Sequence, residues 1–199
     1  MRRALVASAV LLLLAATPSP AQAATVAVKT QGLKFLPAVA YAHIADTVAW
    51  SNAATDRHST KSDGPTPWDS GDLAPWRGKF SRVFPIAGSF AYYCRIHHSL
   101  GMTATVNVAP KVTPTSGTTA TNFVVTFAKA GTRPPAGYSF VAQKALGAGT
   151  YSTAIVTTSA TATFRATSKG TYNVRVGLQK MSGPINAAWF SDPVTLTVS

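Results

Sequence analysis

Cys94, His97 and Met102 lie on one short stretch, Cys-Arg-Ile-His-His-Ser-Leu-Gly-Met, and His58 stands far upstream of them. A thiolate, two imidazoles and a weak thioether make the trigonal His2Cys set with an axial sulfur that suits copper in electron transfer. Three donors on one loop and a fourth from a distant segment let the chain, rather than the ion, set the geometry. Cu(I) and Cu(II) favour different surroundings in solution, so a site held between them rearranges little when an electron arrives. Each residue alone has an ordinary explanation. A buried cysteine is usually a small hydrophobe, a methionine fills a core, and His58 would be a loop histidine. The joint spacing is what points to a metal. Cys94 is the sole cysteine, so no internal disulfide can form, and the thiol is left for reactivity, intermolecular pairing or ligation.

The remaining histidines are His43 and His98. His98 is expected to face solvent, the less favoured alternative being that it substitutes as a ligand, and His43 is expected to lie on the surface. Two spare histidines are too few for the additional coppers of an oxidase or reductase, so the chain does not read as an enzyme.

The elements that position these residues are strands. Residues 25–28, 47–50, 90–94 and 103–108 alternate apolar and polar with a period of two, and no sustained helical stripe follows residue 24. In 90–94 the alternation puts Phe90, Tyr92 and Cys94 on one face, toward the interior, with Tyr93 and Arg95 on the other. Ala109 to Gly117 is rich in Pro, Ser and Thr, which places a domain boundary near Pro110. Beyond it, residues 122–129, 138–144, 152–156, 161–167, 171–177, 187–190 and 194–198 form a second strand series of the kind that builds a small β-sandwich. The expected fold class is all-β, with two consecutive sandwiches at 24–110 and 111–199.

With these residues in view, residues 24–110 resemble the cupredoxins, within them the plastocyanin and pseudoazurin type. Gly32-Leu33-Lys34-Phe35-Leu36-Pro37 is similar to the family's first Phe-x-Pro region. Asp46-Thr47-Val48-Ala49-Trp50-Ser51-Asn52 is similar to its Gly-Asp-x-Val-x-Trp/Phe-x-Asn segment, with Ala45 where glycine is usual. Tyr92-Tyr93-Cys94-Arg95-Ile96-His97 through Met102 is similar to its ligand loop. The resemblance implies an eight-stranded Greek-key sandwich holding one type 1 (blue) copper, with His58, Cys94, His97 and Met102 as metal ligands. It also implies a surface aromatic at Tyr93, against which plain packing is the equal alternative. The chain departs from the family at the first histidine, where Arg57 and Ser59 flank His58 and asparagine often follows. Ser59 offers a hydroxyl and a backbone N–H for the contact that the family's residue makes to the cysteine sulfur, and the sequence leaves the partner open. Ala104 replaces a family glycine. Leu100 holds the place of the methionine in shorter loops and cannot ligate. Gly170-Thr171-Tyr172-Asn173-Val174-Arg175-Val176 resembles the Gly-x-Tyr-x-Val-x-Val strand of immunoglobulin-like and fibronectin III-like domains, in which the tyrosine hydroxyl bonds back to the chain.

Composition sets the context. Residues 1–23 run from a basic start through an apolar stretch to Ala21-Gln22-Ala23, the order of a secretion signal cleaved after Ala23. The apolar stretch is short of the roughly 20 residues that a membrane span needs, so no stable membrane insertion is expected, and the protein is placed outside the cell or in the periplasm. From Ala24 onward there are 16 Lys and Arg against six Asp and no Glu, a net charge of +10. The cations are scattered singly, which argues against nucleic acid and for an acidic partner protein. The sequence therefore reads as a secreted copper protein shuttling single electrons between redox partners. The alternative is an extracellular copper-binding, sequestering or adhesion protein, with the second sandwich meeting a cell-surface or protein ligand.

Overall fold

The computed structural model describes residues 22–199. The signal-like residues 1–21 lie outside them. Among the described residues no helix is long and apolar enough to cross a membrane.

The chain is all-β. Before Pro110 the strands are β1 (Thr25–Gln31), β2 (Lys34–Leu36), β3 (Val39–His43), β4 (Thr47–Asn52), β5 (Lys61–Ser62), β6 (Trp68–Asp69), β7 (Lys79–Val83), β8 (Gly88–Tyr93) and β9 (Thr103–Ala109). They form two sheets, β2-β1-β4-β7 and β3-β9-β8-β5-β6. β1 with β4 and β3 with β9 are parallel, and the other pairs are antiparallel. The alternation of β4 explains the packing: Val48, Trp50 and Asn52 point inward while Thr47, Ala49 and Ser51 are partly exposed. β8 behaves as the sequence predicts, with Phe90 and Tyr92 buried in register with Cys94, and Tyr93 half-buried on the other face.

Aromatic rings fill the space between the two sheets. Trp50 lies 5.5 Å from Tyr92 and 6.1 Å from Trp68, and Phe35 meets Tyr92 edge-on at 4.8 Å. Such pairs add about 0.5–1.5 kcal/mol each beyond area burial, so the strands that carry the candidate ligands stand on a stiff base.

After Pro110 come β10 (Lys111–Thr113), β11 (Ser116–Gly117), β12 (Phe123–Thr126), β13 (Tyr138–Leu146), β14 (Ser152–Thr157), β15 (Thr161–Phe164), β16 (Gly170–Lys180) and β17 (Val194–Val198). They form sheets β10-β12-β15 and β11-β17-β16-β13-β14. The Pro/Ser/Thr-rich stretch at the expected boundary contains β10 and β11: Val112 packs into the core between exposed Lys111 and Thr113, and Ser116–Gly117 pairs with β17. One expectation needs correction. The strand expected at 187–190 is a 3-10 turn, Ala187–Trp189, started by the Asn186 side chain accepting from Ala188 N at 3.0 Å. Tyr172 does what its motif implies: its hydroxyl lies 3.1 Å from both Ser168 O and Ser168 N, donating to the first and accepting from the second.

The two sheet pairs pack against each other. Ile86 bridges Ala128, Ala87 N donates to Phe127 O at 2.8 Å, and Lys129 N donates to Pro85 O at 2.8 Å. Asp192 N donates to the Asn107 side chain at 3.2 Å. The buried apolar side chains of both halves form one continuous core cluster.

Ala45 sits in the left-handed region, φ 75, in the turn where Asp46 N donates to His43 O. A Cβ in that conformation costs about 1–2 kcal/mol, against about 0.5–1 kcal/mol for the extra freedom of glycine in the unfolded chain. Ala45→Gly is therefore expected to raise stability by about 0.5–1 kcal/mol. The check is a higher urea midpoint at unchanged slope.

Candidate metal centre

Cys94 follows directly on β8, and its backbone N donates to Met102 O at 3.0 Å, just before β9 begins. The loop between is a tight turn. His97 N donates to Cys94 O at 3.2 Å, a 3-10 turn covers His98–Leu100, and Met102 N donates to His97 O at 3.3 Å. Gly101 closes it with φ 77 and open space around its Cα, so backbone conformation rather than room demands glycine there.

His58 arrives from the opposite side. It forms an isolated bridge with Leu73, with His58 N to Leu73 O at 3.2 Å and Leu73 N to His58 O at 2.7 Å. Buried Asn52, at the end of β4, organises the approach. Its Nδ2 donates to Asp56 O and Leu73 O at 2.8 and 2.9 Å, and its Oδ1 accepts from Thr30 Oγ1 and Ala54 N. The sequence showed Asn52 as part of a motif without showing this task.

Three of the four expected ligand side chains converge. Cys94 Sγ lies 3.7 Å from His58 Nδ1 and 3.5 Å from His97 Nδ1, and the two nitrogens are 3.2 Å apart. His58, Cys94 and His97 are the group of metal-ligating side chains found among the described residues. A triangle with these sides encloses a point about 2.0 Å from every corner, close to the roughly 2.0–2.1 Å bond of a zinc-sized ion to imidazole nitrogen and about 0.3 Å short of its bond to thiolate sulfur. His58 and Cys94 are fully buried, and His97 is partly exposed. Burial, with His97 close by, holds the His58 imidazole below its ordinary value against the opposing pull of Asp56. His58 is thus kept neutral with a lone pair to offer, as ligation requires. Three electron-rich atoms facing one another inside a protein repel unless positive charge lies among them, and soft sulfur with two imidazoles suits copper.

Met102 is buried at 1 % exposure, and its backbone bonds to Cys94 and His97 hold it beside the triad. His98 is exposed and stacks on Tyr93 at 4.2 Å, outside the converging group. His43 lies on the surface, as expected, with an exposed ring.

Ser59 fills the place where the resemblance puts asparagine. Fully buried, its Oγ accepts from Arg95 N at 2.8 Å and lies 3.9 Å from Cys94 Sγ, with its own hydrogen free to point at the sulfur. A hydrogen bond to the thiolate withdraws electron density and favours the reduced metal. Ser59→Ala is expected to lower the reduction potential of the copper-loaded protein. It should also cost about 1–3 kcal/mol through the unpaired Arg95 N–H. Voltammetry and chemical denaturation read the two effects separately. Arg95 extends outward to Asp69 at 3.0 Å and Asp72 at 2.6 Å, and Arg57 reaches Asp72 at 3.8 Å. These pairs are exposed, so water and salt screen them and their contribution to stability is small. They join the ligand loop to the segment that pairs with His58.

No protein-family model matches the chain. Among solved structures it is similar to amicyanin from Paracoccus versutus, at 24% identity over 46% of this chain and 85% of that one, with a TM-score of 0.39. It is similar to a reduced Cu(I) form of an amicyanin mutant at 21% identity, covering 43% and 82%, with a TM-score of 0.39. A mutant plastocyanin of a fern matches at 19% identity over 42% of this chain and 99% of that chain, with a TM-score of 0.38.

Proposed function

We propose that this is a secreted, cupredoxin-type blue copper protein that binds one copper ion through His58, Cys94, His97 and Met102 and carries single electrons between partner proteins. The observation that carries the reading is the convergence of Cys94 Sγ with the Nδ1 atoms of His58 and His97 inside a hydrogen-bonded framework. Copper held there supplies a one-electron couple. The chain's own contribution is constancy of shape. The Cys94–Met102 and His58–Leu73 backbone bonds fix the donors from two sides, so little needs to move as charge changes. His97 is partly exposed, and Ile96 and Leu100 on the same loop are 43 % and 63 % exposed, which offers a partner an apolar approach to the donors. The positive charge favours an acidic partner, so association should slow as salt screens the attraction. The second half, with its tyrosine bonded back to Ser168, reads as an immunoglobulin-like interaction module.

Met102 provides the test. A long axial thioether holds the ion weakly but tunes its potential. Met102→Leu removes that donor and is expected to raise the potential while colour persists, and Met102→Gln offers a harder oxygen and is expected to lower it. Cyclic voltammetry of wild type and both variants should show one reversible one-electron wave that shifts in opposite directions. No reversible wave from the wild type would favour copper sequestration. Unmoved waves in both variants would remove Met102 from the ligand set.

A further inference from the structure

At the end of the first sheet remote from the metal, Ala24 N lies 2.7 Å from Asp46 Oδ1, and Thr47 N donates to Ala24 O at 2.9 Å. The Asp46 side chain is only 6 % exposed. Its second oxygen accepts from His43 N at 2.8 Å and lies 3.5 Å from His43 Nδ1, on a ring 85 % exposed. Among the described residues, no lysine or arginine pairs with this carboxylate. A buried carboxylate is costly without a compensating positive partner, and the nearest backbone nitrogen is that of Ala24.

We propose that Ala24 is the first residue of the working protein and that its α-ammonium closes an ion pair with Asp46. The inference rests on reading Ala21-Gln22-Ala23 as the end of a secretion signal and is independent of the copper assignment. Hydrolysis of the Ala23–Ala24 bond by a signal peptidase adds one water. The carboxylate leaves with Ala23, and the amine stays on Ala24 and takes up a proton. Before cleavage one neutral N–H faces Oδ1, whereas afterwards a full charge with three hydrogens sits at the same place. A charge-assisted hydrogen bond is roughly twice as strong as a neutral one. No rearrangement is needed, because the parallel register of Thr25 with Thr47 already holds the terminus against β4. Cleavage thereby fastens the first strand. The chain from Ala24 to Thr30, beside Asn52, spans about 20 Å, so the metal's spectrum is blind to this pair.

The test compares three metal-free forms of residues 24–199: a free Ala24 amine, an N-acetylated Ala24, and a chain extended by one glycine. Acetylation keeps the N–H and removes only the charge. The free form is expected to melt about 3 °C above the other two near pH 6. An ion pair raises the folded pKa of the α-amine above its ordinary value of about 7.7–8.0. The gain is therefore complete below that value and lost as pH rises through the folded one. His43, on β3, is the other titratable side chain touching Asp46. It is common to all three forms and cancels in the comparison. In Asp46→Asn the three forms should melt together, and if that variant does not fold, the acetylation comparison stands without it. Equal melting of the free and acetylated forms at pH 6 would overturn the proposal. So would a secreted protein whose intact mass begins at any residue other than Ala24.

Discussion

Cys94→Ser is expected to abolish the visible colour of the copper-loaded protein completely and to weaken copper binding by more than about 100-fold. Loss of an outer-shell partner of a metal ligand alone typically costs 10–100-fold, and here the thiolate itself is removed. The colour of such a site is charge transfer from thiolate sulfur to Cu(II), and a serine oxygen has no comparable transition in the visible. The substitution is nearly isosteric at a fully buried position, and the Ser59 hydroxyl that lies near Sγ can meet a second hydroxyl. The metal-free variant should therefore keep the wild-type far-UV circular dichroism. Retained colour would mean that Cys94 is not the donor.

Ending the chain at Pro110 is expected to cost several kcal/mol of stability while leaving the copper spectrum of the folded fraction intact. The seam explains the first half of this expectation. Ile86, Ala87 and Val108 are buried, and the truncation removes the backbone partners of Ala87 and Pro85 and the donor to Asn107. Re-exposing a fully buried aliphatic side chain costs about 1.5–3 kcal/mol, and each orphaned buried polar group adds about 1–3 kcal/mol. The second half follows from distance. The ligand loop sits at the start of β9 and the seam at its end, about 20 Å away for a strand of this length. Thermal melts and visible spectra of the 24–110 and 24–199 chains decide it. Loss of the spectrum from folded 24–110 protein would show that the second half completes the metal site.

The candidate ligands were legible because their chemistry is rare and their spacing local. Cys94, His97 and Met102 belong to one turn, and only His58 required the fold to bring it close. Long alternating strands such as β4, β8, β9 and β16 were legible for the same reason, and Tyr172 because its corner spans four residues. What escaped was set by pairing across the chain. β5 and β6 are two residues each, too short to show a period, and exist because Lys61 finds Asp69 and Tyr93 opposite it. The clamp from Arg95 to Asp69 and Asp72, and the service of Asn52 to the His58 loop, depend on contacts between segments more than twenty residues apart. Val112 lies in the Pro-flanked stretch that marked the boundary and showed no strand period of its own, and it is a strand because β12 faces it. Ser59 stands between: its position was readable, but only the fold shows its hydroxyl shared by Arg95 N and close to the cysteine sulfur.

The central claim is that His58, Cys94 and His97 hold one copper ion in a thiolate-bound trigonal setting. The electron paramagnetic resonance spectrum of the Cu(II)-loaded protein, recorded with its visible absorption, tests it most directly. The predicted result is one copper per chain, an intense visible band and a narrow parallel hyperfine splitting, because unpaired spin is shared with the Cys94 sulfur. A colourless protein with the wide splitting of an ordinary tetragonal nitrogen and oxygen site would contradict it.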